Sequence, residues 1–208
     1  IICNMPSRNT VRQDLAESYY RVYARGVNRG DIFRNSPDKD YFLYLLARYL
    51  SAKPQSNKQG YCYPHFRGQL ELLSYCLMGN HFHLLFYQIR EGALSDLMKS
   101  IMVAYSAYFN RKYALRGPLF ESRFKAVLIN KDDYLLHISR YIHLNPRSWK
   151  YFPYSSLAYI RKGNEPDWLQ TGRLLSQHVS RAAYLEFVGD YEQYKRTLDE
   201  VKRELVDL

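Results

Sequence analysis

His81-Phe82-His83 is the tightest grouping in this sequence of side chains able to do chemistry. On a strand, residues i and i+2 project from one face while the residue between them points to the other, so two imidazoles would stand side by side. Neutral imidazoles at that separation can hold one divalent cation and leave positions for phosphate oxygens, water and a third protein ligand. The same pattern also describes two polar side chains on a solvated strand, and taken alone it leaves both readings open. A second grouping is basic: Arg111, Lys112, Arg116, Arg123 and Lys125 fall close together, and Arg25 and Arg29 lie near the end of an earlier segment. Such a cluster suits backbone phosphates on a nucleic acid, or an ordinary solvated surface.

The composition favours the first of these. Lys and Arg number 30 against 20 Asp and Glu, a formal charge of +10, which points to a polyanionic partner. Tyrosine occurs 21 times, often beside basic residues, a mixture that suits base stacking next to phosphate contacts, although most of the rings should be core. Cys3, Cys62 and Cys76 form no CxxC pair and are odd in number, which argues against a zinc knuckle or a disulfide framework and for a reducing compartment. No apolar run approaches the ~18 residues of a membrane span, and the start has no basic-then-apolar secretory pattern. A cytoplasmic protein is expected.

The elements that must position these residues are legible from periodicity. Tyr19 to Gly26 alternates as a half-buried strand does. Asp38 is placed to cap a helix whose stripe runs through Tyr41, Leu45, Leu46 and Leu50, and residues 51–60 read as a polar loop. Gln69 to Met78 and His81 to Gln88 are apolar runs joined by Gly79-Asn80, a two-residue connection that favours a tight hairpin because both residues tolerate positive φ. Leu94, Leu97, Met98, Ile101, Met102, Tyr105 and Phe109 mark a long helix to about Tyr113, with Gly117-Pro118 as its stop. Leu119 to Ile129 is strand-like, and Asp132 starts a last core helix that must end at Pro146. The predicted fold is α+β: a ferredoxin-like split β-α-β antiparallel sheet with helices on one face, an extra helix, and a C-terminal helical extension with dense charge near its end. The expected division is an N-terminal segment 1–18, a main domain 19–147 and an accessory region 148–208.

Leu77-Met78-Gly79-Asn80-His81-Phe82-His83-Leu84-Leu85 resembles the His-hydrophobic-His motif of the HUH endonucleases that use a single tyrosine. Arg25-Gly26-Val27-Asn28-Arg29-Gly30, Tyr108-Phe109-Asn110-Arg111, Gly117-Pro118-Leu119-Phe120-Glu121-Ser122-Arg123-Phe124-Lys125 and Arg140-Tyr141-Ile142-His143-Leu144-Asn145-Pro146 are similar, in the same order, to REP-associated tyrosine transposases. Gly79 departs from the Pro common in that family before Asn-His. The resemblance implies that Tyr141 is the nucleophile and that Asn145, four residues on and on the same helix face, completes a metal site with His81 and His83. It implies attack on single-stranded or hairpin DNA of the repetitive-palindrome type, giving a 5′-phosphotyrosine and a free 3′-hydroxyl with Mg²⁺ or Mn²⁺ as cofactor, in a nucleoid-associated protein. A monomer is expected, because the appended tail could cover the sheet edge that dimeric relatives pair. Two other readings compete. An RNA-processing phosphoesterase would need two His-x-Thr or His-x-Ser motifs, which this chain lacks; a DNA-hairpin binding module with a decayed centre would keep the fold and lose the reaction.

Overall fold

The computed structural model describes residues 14–129 and 132–190. Cys3, most of the expected N-terminal segment and the charged C-terminal end lie outside the described residues.

Four strands, β1 (Ser18–Arg25), β2 (Leu70–Leu77), β3 (His81–Gln88) and β4 (Lys125–Ile129), form one antiparallel sheet in the order β2-β3-β1-β4. This is the predicted ferredoxin-like order, with α1 (Ser36–Leu50) between β1 and β2 and α2 (Ala93–Tyr113) between β3 and β4. Alternation along the strands sends Tyr20, Val22 and Ala24, with Phe82, Leu84 and Phe86, into one core. There Phe42, Leu45 and Leu46 of α1 and Leu97, Ile101 and Tyr105 of α2 cover them. A register shift between Leu72 and Ser74 changes the parity of β2, so that Tyr75 and Leu77 also join this core while Leu73 and Cys76 turn to the other face.

The opposite face carries the last predicted helix, α3 (Asp132–Leu144), whose Leu135, Ile138 and Ile142 pack on Leu73, Cys76, Leu85 and Ile129. Helices therefore lie on both faces, with α1 and α2 on one and the added helix alone on the other. The accessory region forms α4 (Leu157–Lys162), α5 (Gly172–Leu175) and α6 (Arg181–Gly189) around a third cluster of Leu157, Ile160, Leu174, Tyr184 and Val188. Leu136 and Leu144 pack on that cluster, so α3 is held between the sheet and the tail. No helix among the described residues is long and apolar enough to cross a membrane.

Several local expectations change. Asn35, not Asp38, caps α1: its side chain accepts from the Asp38 N–H, and Asp38 is a buried acceptor inside the first turn. The Gly79-Asn80 hairpin forms, yet neither residue has positive φ. The Gly79 carbonyl accepts from the N–H groups of Ile32 and Phe33, and a Cβ there would meet only the end of the Asp31 side chain, at 3.0 Å. α2 stops at Tyr113 with Ala114 in the left-handed region, before Gly117 is reached. Only Lys125–Ile129 of the strand-like stretch is regular. Ahead of it, Phe120 bridges Gly26 while Lys125 pairs Tyr23, so the chain bulges beside the end of β1.

Candidate functional site

β3 enters the sheet at His81, and the alternation that buries Phe82 against α1 turns His81 and His83 toward α3, their ring centroids 4.9 Å apart. On the neighbouring strand His83 pairs with Tyr23 and His81 with Arg25, and Tyr23 in turn pairs with Lys125 of β4. Arg21, Tyr23 and Arg25 therefore share the histidines' face. The apolar part of α3 covers Leu85 and Ile129, which sets its C-terminal end over the two imidazoles. The Tyr141 ring centroid lies 5.5 Å from that of His83, and the Asn145 amide oxygen is 3.2 Å from His81 Nε2. Thus four side chains, two from β3, one from α3 and one from the bend just after α3, meet at one place.

Two features tune the histidines. Burial, aided by the positive charges of Arg21 and Arg25, holds the imidazolium form of both below its ordinary range, with His83, only 4% exposed, displaced well below it. Both rings are then neutral near pH 7, as metal ligation requires. The Asn80 amide NH₂ donates to the Arg29 carbonyl, which can only accept, so its oxygen faces His81 Nδ1 at 2.7 Å. His81 must donate from Nδ1 and keep its lone pair on Nε2, facing Asn145.

These donors fit a divalent cation. The Nε2 lone pair of His81 and the Asn145 oxygen are two acceptors directed at one another. They are satisfied either by half a turn of the Asn145 amide or by a cation between them. His83 Nδ1 faces an Arg21 nitrogen at 3.5 Å, and because a guanidinium can only donate, Nδ1 is the acceptor there. Among the described residues no three His, Cys, Asp or Glu side chains converge, and the protein's share would be two imidazoles and one amide oxygen.

The basic residues divide. Arg25 and Lys125 border the histidines, the latter with its ammonium 5.7 Å from the Tyr23 ring. Arg29 follows β1 in a short 3-10 turn, where Asn28 and Arg29 both have positive φ, and is exposed. Arg116 and Arg123 lie exposed in the connection to β4, Arg116 lining a cleft with Asp31, Arg34 and Asn110. Arg111 and Lys112 sit in the last turn of α2, the helix on the other face of the sheet. Lys112 is not available to a phosphate as expected: its ammonium is 2.6 Å from the buried Asp38 carboxylate and near the Tyr108 hydroxyl. Tyr105 is buried and bonded to the Ile32 carbonyl, and Tyr134 belongs to the α3 core. His143 is wholly buried against Ser155, its imidazolium pushed down to about 3 by desolvation.

Sequence reasoning missed Arg21, Tyr23 and Asn80. The alternation of β1 puts Arg21 and Tyr23 on Arg25's face; what it could not supply was the pairing register that sets them beside His83.

Residues 65–145 match the family described as IS200-like transposases. Among curated proteins none matches the chain significantly. Of solved structures, a REP-associated tyrosine transposase bound to a REP hairpin aligns over 79% of this chain and 92% of its own, with 15% identity and a TM-score of 0.53. A candidate transposase from Deinococcus radiodurans R1 aligns over 64% and 95%, with 15% identity and a TM-score of 0.39. Over the segment that carries both histidines, Tyr141 and Asn145 the chain is thus similar to the IS200-like transposases, and its fold is that of a REP-associated tyrosine transposase.

Proposed function

We propose that the chain nicks and rejoins hairpin-forming single-stranded DNA of the repetitive-palindrome type through a 5′-phosphotyrosine on Tyr141. The observation that carries this is the meeting of Tyr141 and Asn145 with His81 and His83 on one face of the sheet. Had α3 packed on the other face, the chemistry would have had no site.

His81, His83 and Asn145 would hold one Mg²⁺ or Mn²⁺, with imidazole the better partner for Mn²⁺. When bound, the cation neutralises charge on the nonbridging phosphate oxygens and makes the phosphorus more electrophilic. The protein's own part is positional. Tyr141 Oη gives up its proton and forms the Oη–P bond, the P–O3′ bond breaks, and the 3′ oxygen takes up a proton. Reversal by another 3′-hydroxyl rejoins a strand without ATP, because the phosphotyrosine keeps the bond energy. Arg25 and Lys125 border the site and would hold phosphates on either side of the cut, with Arg29, Arg116, Arg123 and Arg111 as outer contacts. Residues 19–147 would be the catalytic domain, 148–208 its accessory helical region and 1–18 an N-terminal segment, in a monomer acting on the nucleoid in the cytoplasm.

A labelled palindrome-bearing single strand incubated with Mn²⁺ tests this. A protein–DNA adduct that survives denaturation and is lost in Tyr141→Phe is expected. Binding of the hairpin with no adduct under any divalent metal would leave a non-catalytic hairpin-binding module instead.

A further inference from the structure

Arg21 is a charged residue placed where charge is costly. It lies in the middle of β1, one of the sheet's two central strands, and is 4% exposed. Its guanidinium sits 4.8 Å from the Tyr23 ring centroid and 5.0 Å from that of Tyr141, with one nitrogen 3.5 Å from His83 Nδ1. These neighbours are two tyrosine rings, a neutral imidazole and the Tyr141 phenol, with which Arg21 also hydrogen-bonds; none of them carries a negative charge at neutral pH. None of the ion pairs among the described residues includes Arg21, and its buried Nε has no hydrogen-bond partner there. A buried cation is ordinarily matched by a carboxylate, and replacing an unmatched one by an apolar chain of similar volume is commonly neutral or stabilising. A guanidinium also presents its donors in a planar fork that fits two oxygens of a phosphate.

We propose that Arg21 is a phosphate-binding residue of this site, paired in the working complex with the phosphodiester that Tyr141 attacks. The proposal rests on the reading of Tyr141 and the histidines as a phosphodiester site. It adds to that reading a protein-borne positive charge on the Tyr141 side of the phosphorus. The fork would grip nonbridging oxygens before the Oη–P bond forms and hold the same oxygens in the phosphotyrosine, so that the joined strand does not drift between cleavage and rejoining.

The test uses the full chain without metal, with inorganic phosphate as the probe, and compares thermal unfolding in phosphate and in chloride at equal pH and ionic strength. Wild type should unfold about 2–4 °C higher in phosphate at concentrations several times its Kd. Arg21→Met, which fills the same space without charge, should lose that increment and in chloride should unfold no lower than wild type; Arg21→Lys should retain part of it. A guanidinium that serves only to clamp two rings predicts the reverse: Arg21→Met less stable in chloride, with the phosphate increment intact. Either of those results overturns the proposal. Should Arg21→Met fail to fold, the Arg21→Lys increment decides: an unchanged or absent phosphate response in both wild type and Arg21→Lys is equally fatal. The adduct assay separates this from the nuclease reading. An adduct formed by a protein whose phosphate response ignores Arg21 sinks the role given to Arg21 alone, and a phosphate response that needs Arg21 with no adduct sinks the reaction alone.

Discussion

Asp38 shows how one carboxylate can be spoken for by the fold. It is fully buried and accepts from the Arg34 N–H at 2.9 Å, the Tyr113 hydroxyl at 2.7 Å and the Lys112 ammonium at 2.6 Å. Burial alone would raise its pKa; the Lys112, Tyr113 and Arg34 hydrogen bonds together outweigh that and lower it. A depressed folded-state pKa contributes stability above the unfolded value of about 3.9, lost as pH falls through the folded value. Asp38→Asn should therefore cost roughly 3 kcal/mol at pH 7, and the deficit should shrink as wild type is taken below about pH 4. Denaturant unfolding at both pH values would show it, and an equal deficit at each would refute the assignment of charge. Asn80 argues a different point at the same scale. Because it fixes which His81 nitrogen bears the proton, Asn80→Ala should weaken Mn²⁺ binding about 10- to 100-fold, measured calorimetrically, while leaving the fold intact. His81 and His83 were legible in the sequence because strand alternation is local. Asn80 was read only as a turn residue, since its partner, the Arg29 carbonyl, is 51 residues away.

The elements were legible to the extent that each has its own period. All four strands, both sheet-packing helices of the split β-α-β and the start of α3 follow from spacing. What spacing cannot reveal is where two loops collide. Gly26 ends β1 beside the Gly30 carbonyl, and a Cβ on it would lie 2.1 Å from that oxygen and 2.9 Å from Ile32 Cγ2. The same turn carries the Arg29 carbonyl that orients Asn80, and Gly26 itself donates to the Asn80 carbonyl. Gly26→Ala must therefore push the β1–α1 connection away from the hairpin. It should destabilise by about 1–3 kcal/mol and also lower Mn²⁺ affinity, although Gly26 touches neither histidine. Loss of stability with Mn²⁺ binding unchanged would show that the connection does not set the His81 orientation.

At the scale of the whole molecule, the tail does two things, of which only the first was expected from the sequence. It closes the outer edge of β2: the Leu77 N–H donates to the Tyr154 carbonyl, Ser156 to Tyr75, and Gln170 to Leu72, so a row of peptide groups that could pair another chain is already occupied. It also backs α3, with the Tyr184 hydroxyl donating to Ser139 and Leu136 and Leu144 buried against the third cluster. The helix that carries Tyr141 is thus fixed from both sides, by Ile138 and Ile142 on the sheet and by the tail behind it. A chain cut after Arg147 should expose both the edge and the apolar back of α3. Light scattering during gel filtration should then find the full chain near its monomer mass of 24.8 kDa and the shortened chain in larger species, with Mn²⁺ affinity reduced because Asn145 is no longer held over His81. A shortened chain that stays monomeric and binds Mn²⁺ as tightly as the whole would mean that the sheet alone positions α3, and that the tail serves some other purpose.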